Sequence, residues 1–408
     1  MPVVAYVGYR ARKRQMKLIL HIGTNKTGTT ALQQFLSINR KKLGKHGIYY
    51  ATPPDTHNFN SVVRAPRRSM DGAPSWALLP RYHLVARQDE ILGKFFVDHL
   101  VHAEREGAHT LVASSEALYC MPIHLHNPGD KNVCVDTLAQ IECLRAAIPS
   151  SVNCRIICYV RRPDQYLESL YTQCVKQGMF TGEIAEFVNI VDDMLDYHRC
   201  LSMWQKVFGG SNTEARVYET ALPNLIHDFL RYVLHLQESS LFAKASPRVN
   251  ERLSRDLIES IRLLNKDIPC SKRTFDQRIY ALVDERIADP SSNHEYLSPD
   301  ERAGLLSRLE PSMKRLRTEF ALPAFPQFDY EAAKAAWRSY PGLSFERIQE
   351  IECHYKDAQA HMGFRLERVF KRIASIARRK LPFLSFVLDF VRASGMHRIL
   401  LVAVKRFK

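Results

Sequence analysis

Short apolar segments alternate along the chain with longer segments of helical periodicity. The apolar segments are too short for helices and end in glycine or polar residues, which is typical of buried strands. We predict strands at 17–23, 47–51, 109–114, 153–160 and 213–219. We predict helices from residue 30, at 85–105, at 135–148, after Pro163, and at 183–208, 222–236, 250–265 and 298–320. This alternation predicts an α/β fold, with a parallel sheet covered by helices on both faces.

The first strand leads into a loop rich in glycine and threonine, and then into an amphipathic helix. Leu32, Phe35, Leu36 and Leu43 give this helix its apolar face. The first N–H groups of such a helix have no intrahelical partner, and the helix dipole adds positive charge there. The sequence therefore predicts an anion site formed by Lys26, Thr27, Gly28, Thr29 and Thr30.

The lysine of this loop does not stand where an ATP-binding loop places it. The loop of nucleoside triphosphatases reads G-x-x-x-x-G-K-[ST], with the lysine directly after the second glycine. Gly23 and Gly28 keep the glycine spacing, but Thr29 follows Gly28 and the loop's lysine is Lys26. A lysine there lies on the outer side of the loop, near the bond to a group leaving the phosphate. This favours a donor with a short phospho-linked group over a triphosphate.

A second motif, YVRRPDQYLESLY at 159–171, joins a buried strand to a helix. Arg161 at the strand end and Ser169 two turns into the helix can converge on one anion, and arginine suits phosphate. Arg162, beside it, is predicted to be a surface charge.

Two motifs together resemble those of sulfotransferases that use 3′-phosphoadenosine 5′-phosphosulfate (PAPS), in particular the bacterial, carbohydrate-type members. They are KTGTT and R-x-P followed by a serine eight residues after the arginine. The resemblance covers about residues 16–328. It implies a P-loop-like sheet, the 5′-phosphosulfate on residues 26–30, and the 3′-phosphate on Arg161 and Ser169.

Weaker similarities to the same family lie further along the chain. VYET at 217–220 implies that Tyr218 lies by the adenine, and SPRVNERLS at 246–254 places Arg248 in the basic loop for the 3′-phosphate. The segment 297–316 resembles the last helices of bacterial members, with Met313 where asparagine is usual. That departure affects packing more than chemistry.

The acceptor's proton requires a base, and Glu116 is our first candidate. It follows a predicted parallel strand, at the end where open α/β sheets bind ligands. Carbohydrate and tyrosine sulfotransferases use a glutamate, whereas small-molecule cytosolic members use a histidine. A helix-terminal acid without catalytic function is the alternative for Glu116. His57 and His83 are competing bases, and His21 is predicted to be a strand residue.

The net charge of +15 is concentrated at the two ends of the chain. Residues 371–408 carry ten lysines and arginines against one acid, and residues 1–17 carry five with no acid. No aromatic-basic motif accompanies these charges, so we do not predict nucleic-acid binding. The apolar segments 381–391 and 399–404 fall short of the ~20 residues that span a bilayer. A helix on an anionic membrane surface and a helix packed on the catalytic domain both remain open.

Cysteine usage indicates a reducing compartment. The nine cysteines include no C-x-x-C, and no histidine pair lies near them at zinc spacing. Cys154 and Cys158 fall on one face of a strand. No convincing signal peptide precedes the first strand. We predict buried thiols in a cytoplasmic protein, with peripheral attachment to the inner membrane face as an alternative.

The predicted organisation has three parts. Residues 1–15 form a poorly ordered extension, 16–328 the catalytic domain, and 329–408 a basic helical extension. We predict transfer of a sulfuryl group from PAPS, without a metal, to a hydroxyl or amine acceptor, on a glycan or glycolipid. The alternatives are an ATP-dependent kinase-like phosphotransferase and a non-catalytic membrane-associated protein that retains the donor pocket.

Overall fold

A computed structural model describes residues 16–52, 86–119, 133–237, 242–243, 253–266, 277–287 and 295–360. Within these ranges, five parallel strands form one sheet in the order β2-β3-β1-β4-β5. The strands are β1 Lys17–His21, β2 Ile48–Ala51, β3 Thr110–Ser114, β4 Asn153–Val160 and β5 Thr213–Val217. The predicted parallel α/β sheet is thus confirmed.

Helices connect the strands and extend beyond the sheet. They are α1 Thr29–Ile38, α2 Arg40–Lys45, α3 Ala86–Arg105, α4 Val133–Ala147, α5 Pro163–Lys176, α6 Ile184–Leu195, α7 Tyr197–Phe208, α8 Tyr218–Ala221, α9 Leu225–Asp228, α10 Arg255–Lys266, α11 Gln277–Ile287, α12 Pro299–Glu319 and α13 Tyr330–Ala336. Residues 345–360 are also helical. Glu116–Leu118 and Gly210–Asn212 form short 3₁₀ turns, and Phe229–Val233 a π turn.

Both faces of the sheet are covered. Successive strand residues point to opposite faces, so each strand packs against elements on both sides. On one side, Ile19, Val112 and Ile157 pack in a buried cluster with residues of α1, α2 and the π turn. On the other side, α3 contacts β2 and β3, and α7 contacts β4 and β5. The strands are therefore apolar on both faces, as the short unbroken apolar segments predicted.

The structure departs from the predicted elements after β5. The strand ends at Val217, and the predicted helix 222–236 is divided into α9 and the π turn. A residue before proline is biased towards extended backbone. Leu222, which precedes Pro223, is extended at φ −78° and ψ 152° and separates α8 from α9. Helix α11 was not predicted.

The chain divides into two compact units. One comprises residues 1–251, 261–274 and 293–340, and its described part contains the sheet. The other comprises 252–260, 275–292 and 341–408. There Arg347 pairs with Asp256 at 2.8 Å, and the Tyr280 and Tyr355 rings lie 6.1 Å apart. The predicted boundary near 328 remains a prediction, and residues 1–15 and 361–408 lie outside the described ranges. No described helix is long and apolar enough to cross a membrane.

A buried charged cluster joins α5 to α12. Arg302, 3% exposed, donates to Asp164 and to Glu168 Oε1, the latter at 2.9 Å. Glu168 Oε1 also accepts the backbone N–H groups of Tyr296 and Leu297 at 2.8 and 3.0 Å. Burial raises the pKa of Asp164, but hydrogen bonds and charges from Arg162 and Arg302 outweigh it and hold that pKa below its ordinary value. The cluster therefore fixes α5, which carries the second predicted motif.

We expect Arg302→Leu to lower the free energy of unfolding by about 3–5 kcal/mol, because it leaves two buried carboxylates without their shared guanidinium. The matched control is Arg308→Leu on the same helix. Arg308 pairs with Asp192, and both side chains are 47% exposed, so we expect a loss of at most about 1 kcal/mol. Urea unfolding of both variants measures the difference. Equal losses would contradict the importance assigned to the buried cluster.

Candidate functional site

The loop between β1 and α1 has an unusual backbone. Gly23, Lys26 and Gly28 have φ values of 52°, 67° and 73°, in the left-handed region that residues with side chains rarely adopt. A Cβ at Gly28 would lie 2.6 Å from Leu225 Cδ2, so a side chain there would need Leu225 to move as well as a strained backbone. The left-handed backbone thus favours glycine at the loop's second glycine position.

Hydrogen bonds fix this loop to the neighbouring strand. Thr24 donates its N–H and its hydroxyl to the Tyr159 carbonyl of β4, at 3.2 and 3.1 Å. The Thr27 and Thr29 hydroxyls donate to the Thr24 carbonyl at 2.7 and 3.4 Å. Thr27 and Thr29, both predicted phosphate ligands, thus stabilise the conformation of the loop. Thr30 is exposed at the start of α1.

Three polar residues four positions apart, Gln165, Ser169 and Gln173, form a row along α5. Residues at this spacing lie on one face of a helix. At one end, Arg161 donates from Nε and Nη2 to Gln165 Oε1, both at 3.3 Å. At the other end, Lys26 Nζ donates to Gln173 Oε1 at 3.3 Å. The α5 row therefore places half-buried Ser169 between the residues that bind the two cations.

The two cations are also close enough to affect each other. Burial lowers the pKa of Lys26 below that of an ordinary lysine, and the charge of Arg161 lowers it further. Two positive groups close enough to interact, with a hydroxyl-bearing residue between their partners on α5, form an arrangement suited to an anion with more than one charge.

Tyr218 and Glu219 complete the surroundings of Arg161. The Arg161 guanidinium lies 5.8 Å from the Tyr218 ring centroid, and a Cβ at Gly28 would lie 3.5 Å from Tyr218 Cε2. Glu219 Oε1 lies 3.9 Å from Arg161 Nε and accepts the Arg162 N–H at 2.9 Å. Tyr218 is thus next to both the loop and Arg161.

Arg162 is not the surface charge that we predicted. Its side chain is 12% exposed and donates to both carboxylate oxygens of buried Asp164, at 2.7 and 2.9 Å. The two adjacent arginines therefore differ, because Arg162 belongs to the α5–α12 charged cluster and Arg161 faces the loop.

Glu116 begins the 3₁₀ turn after β3, and β3 lies beside β1 with Ser114 opposite His21. Its Oε2 accepts a hydrogen bond from Gln33 Nε2 of α1 at 2.9 Å. His21 is a strand residue, as predicted, and its Nδ1 lies 2.8 Å from Ser114 Oγ. Burial lowers the pKa of His21 to about 3, so its imidazole is neutral at physiological pH.

The structure brings the loop, Arg161, Ser169 and Tyr218 together, with Glu116 at the same edge of the sheet. Arg248, His57 and His83 lie outside the described residues. Sequence reasoning missed Gln33, Gln165, Gln173 and Glu219 as contacts of the candidate residues. The four-residue spacing along α5 was a signal for two of them. Within the described ranges, no group of three or more histidines, cysteines, aspartates or glutamates could hold a metal ion.

The fold and the site define a parallel α/β protein whose first strand leads to a glycine- and threonine-rich loop and a helix, an arrangement that binds anions in other α/β proteins.

Comparison with known proteins gives distant similarities. No protein-family model matches the chain. Over 170 residues it is 26% identical to an uncharacterized protein of Archaeoglobus fulgidus, an alignment covering 41% of this chain and 45% of that protein. The chain thus spans less than half the length of this relative. A crystal structure of a sulfotransferase from Alicyclobacillus acidocaldarius matches 77% of this chain and 98% of its own, at 15% identity and a TM-score of 0.37. A likeness at that score carries no functional argument.

Proposed function

We propose that the protein is a sulfotransferase that uses PAPS as its donor. The observation that carries the proposal is the α5 row, which connects Lys26 of the loop at one end to Arg161 at the other with Ser169 between them. Side chains of α5 thus connect the two motifs of the sequence. A bisphosphorylated donor needs two such anion contacts, one at each phosphate.

The residues fit such a donor. The 5′-phosphosulfate would lie on the loop of residues 26–30, where Gly28 allows close backbone approach and the N–H groups at the start of α1 point outward. The 3′-phosphate would contact Arg161 and Ser169, with Arg248 as a further expected ligand. Tyr218, beside both the loop and Arg161, would lie against the adenine.

The reaction is an in-line displacement at sulfur. The acceptor oxygen, or nitrogen for an amine, attacks the sulfur and loses its proton to the Glu116 carboxylate. The bond between sulfur and the bridging phosphate oxygen breaks, and that oxygen keeps the electron pair. Lys26 stabilises the negative charge that develops there. The products are the sulfated acceptor and 3′-phosphoadenosine 5′-phosphate (PAP), and no step requires a metal.

The acceptor that we propose is a hydroxyl of a glycan or glycolipid. It rests on Glu116 as the base and on the resemblance to carbohydrate sulfotransferases. The proposal places the enzyme in the cytoplasm, where the basic end of the chain would contact an anionic membrane surface if the acceptor is a lipid.

We expect PAP to bind the wild-type protein and to bind Arg161→Ala about a hundredfold more weakly. This loss corresponds to about 2.7 kcal/mol, the range of a charge-assisted contact with phosphate. Isothermal titration calorimetry measures both affinities. Arg155→Ala is a matched control, because Arg155 pairs with Glu214 on β5. Adenosine 5′-phosphosulfate, which lacks the 3′-phosphate, should bind wild type and Arg161→Ala alike.

The same titration, together with an assay for transfer, distinguishes the alternatives. Tight binding of ATP with magnesium and none of PAP would contradict the proposal and favour a kinase-like phosphotransferase. Binding of PAP without transfer to any glycan or lipid acceptor would favour a non-catalytic binding protein.

A further inference from the structure

Gln33 on α1 connects the loop's helix to Glu116. Its side chain is 1% exposed, and its Nε2 lies 2.9 Å from Glu116 Oε2, 3.2 Å from Ser114 Oγ and 3.4 Å from the Ser114 carbonyl. A buried amide with several contacts to one neighbouring strand end has a fixed position.

The orientation of the amide follows from its neighbours. An ionised carboxylate and a backbone carbonyl are acceptors, so the group that faces both must donate. Only the NH₂ group of Gln33 can do this, and the opposite flip would place its oxygen against two acceptors. One N–H of Gln33 is therefore directed at Glu116, and the other at Ser114.

Helix α1 relates this contact to the anion loop. Thr29, the first residue of α1, holds the loop through the Thr24 carbonyl, and Gln33 lies four residues later on the same helix face. A helix rises 1.5 Å per residue, so one turn separates the loop from the contact to Glu116. The same rigid element thus positions both the loop and the candidate base.

We infer that Gln33 is the positioning residue of Glu116, holding the ionised carboxylate in line with the loop that carries the donor. This inference rests on the proposed function, in which Glu116 takes the acceptor's proton. Gln33 touches no reacting atom. It restricts the carboxylate to one orientation and donates to its charged form, which is the form that accepts a proton.

Other described groups near Glu116 belong to strands. Tyr50 of β2 is close enough for the Glu116 charge to affect it, and Arg40 of α2 lies 5.7 Å above the Tyr50 ring. His21 of β1 is neutral and contacts Ser114, which in turn contacts Gln33. Gln33 joins the carboxylate directly to the loop's own helix.

The first test is kinetic, with radiolabelled PAPS and a panel of nitrophenyl glycosides as acceptors. We expect Gln33→Leu, which keeps most of the side chain's volume, to lower kcat about tenfold to hundredfold, as loss of an orienting partner does elsewhere. PAP affinity should stay within about twofold, because ground-state donor contacts are unchanged. Gln33→Glu should lower kcat at least as much, since its carboxylate would repel Glu116.

A matched control distinguishes the loss of the Gln33–Glu116 contact from the loss of a buried amide at any other position. Gln140 on α4 is 4% exposed, and its amide nitrogen and oxygen have no hydrogen-bond partner within the described residues. Gln140→Leu therefore removes the same group at comparable burial and should leave kcat unchanged. A fall in kcat for Gln140→Leu equal to that for Gln33→Leu would overturn the inference.

The second test does not depend on activity. In protein with isotope-labelled glutamine, the Gln33 side-chain amide signal, identified by its loss in Gln33→Leu, should move when Glu116→Gln is introduced, and the Gln140 signal should not. An unchanged chemical shift of the Gln33 side-chain amide in Glu116→Gln would overturn the inference, even if no glycoside is sulfated. Failure of PAP binding would instead contradict the proposed function, so the two failures are distinguishable.

Discussion

Lys26→Ala is expected to lower kcat for sulfuryl transfer by about a hundredfold to a thousandfold, the cost of removing one preorganised charge-stabilising group. Lys26 has a left-handed backbone at the tip of the loop, and Gln173 holds its ammonium group. The group is thus fixed before the reaction begins. The charge that it is proposed to stabilise develops only as the sulfur–oxygen bond breaks, so the affinity for the intact donor PAPS should change much less than kcat.

Initial rates with radiolabelled PAPS measure this effect, and Lys41→Ala is the matched control because Lys41 is exposed on α2. Since burial and the charge of Arg161 lower the pKa of Lys26, its ammonium form is lost at a lower pH than that of an ordinary lysine. We therefore expect kcat/KM, which reports the free enzyme, to fall on the alkaline side at a lower pH than an ordinary lysine would give. Full activity of Lys26→Ala would remove Lys26 from the mechanism.

Glu116→Gln is expected to lower kcat by about a hundredfold to ten-thousandfold, the range that a positioned general base contributes. The substitution keeps the side chain's size but removes its ability to take a proton. PAP binding should persist, because Glu116 lies after β3 and the proposed donor contacts lie on the loop and α5.

The control for Glu116→Gln is Glu142→Gln, which changes an exposed carboxylate on α4 in the same way. If Glu116→Gln keeps the wild-type kcat, the base lies elsewhere. His57→Asn and His83→Asn would then test the two histidines that the sequence offers as competing bases.

The sequence was sufficient for the sheet and the loop because both are local features. An unbroken apolar segment such as 153–160 predicts a buried strand by itself, and β4 has those bounds in the structure. The loop is also local in sequence, and both of its glycines, Gly23 and Gly28, adopt a left-handed backbone in the structure. Arg161 could be placed between β4 and α5 because a strand end and a helix start fix its position, and its contact with an anion stays a prediction.

Features that depend on distant parts of the chain could not be predicted. Lys26 and Gln173 are 147 positions apart, and Gln33 and Glu116 are 83 apart. No local pattern indicates which glutamine will contact which charge. The burial of Arg162 could not be predicted for the same reason, since it depends on the charged cluster that Arg302 completes.

The most direct test of the central claim compares donors in one assay. Purified protein is incubated with an extract of glycans and lipids and either PAPS labelled in the sulfate or ATP labelled in the terminal phosphate, with magnesium present in both. We expect label from PAPS to enter an acceptor with wild-type protein and about a hundredfold to a thousandfold more slowly with Lys26→Ala, whereas label from ATP should not enter with either protein. Transfer from ATP, with none from PAPS, would contradict the central claim.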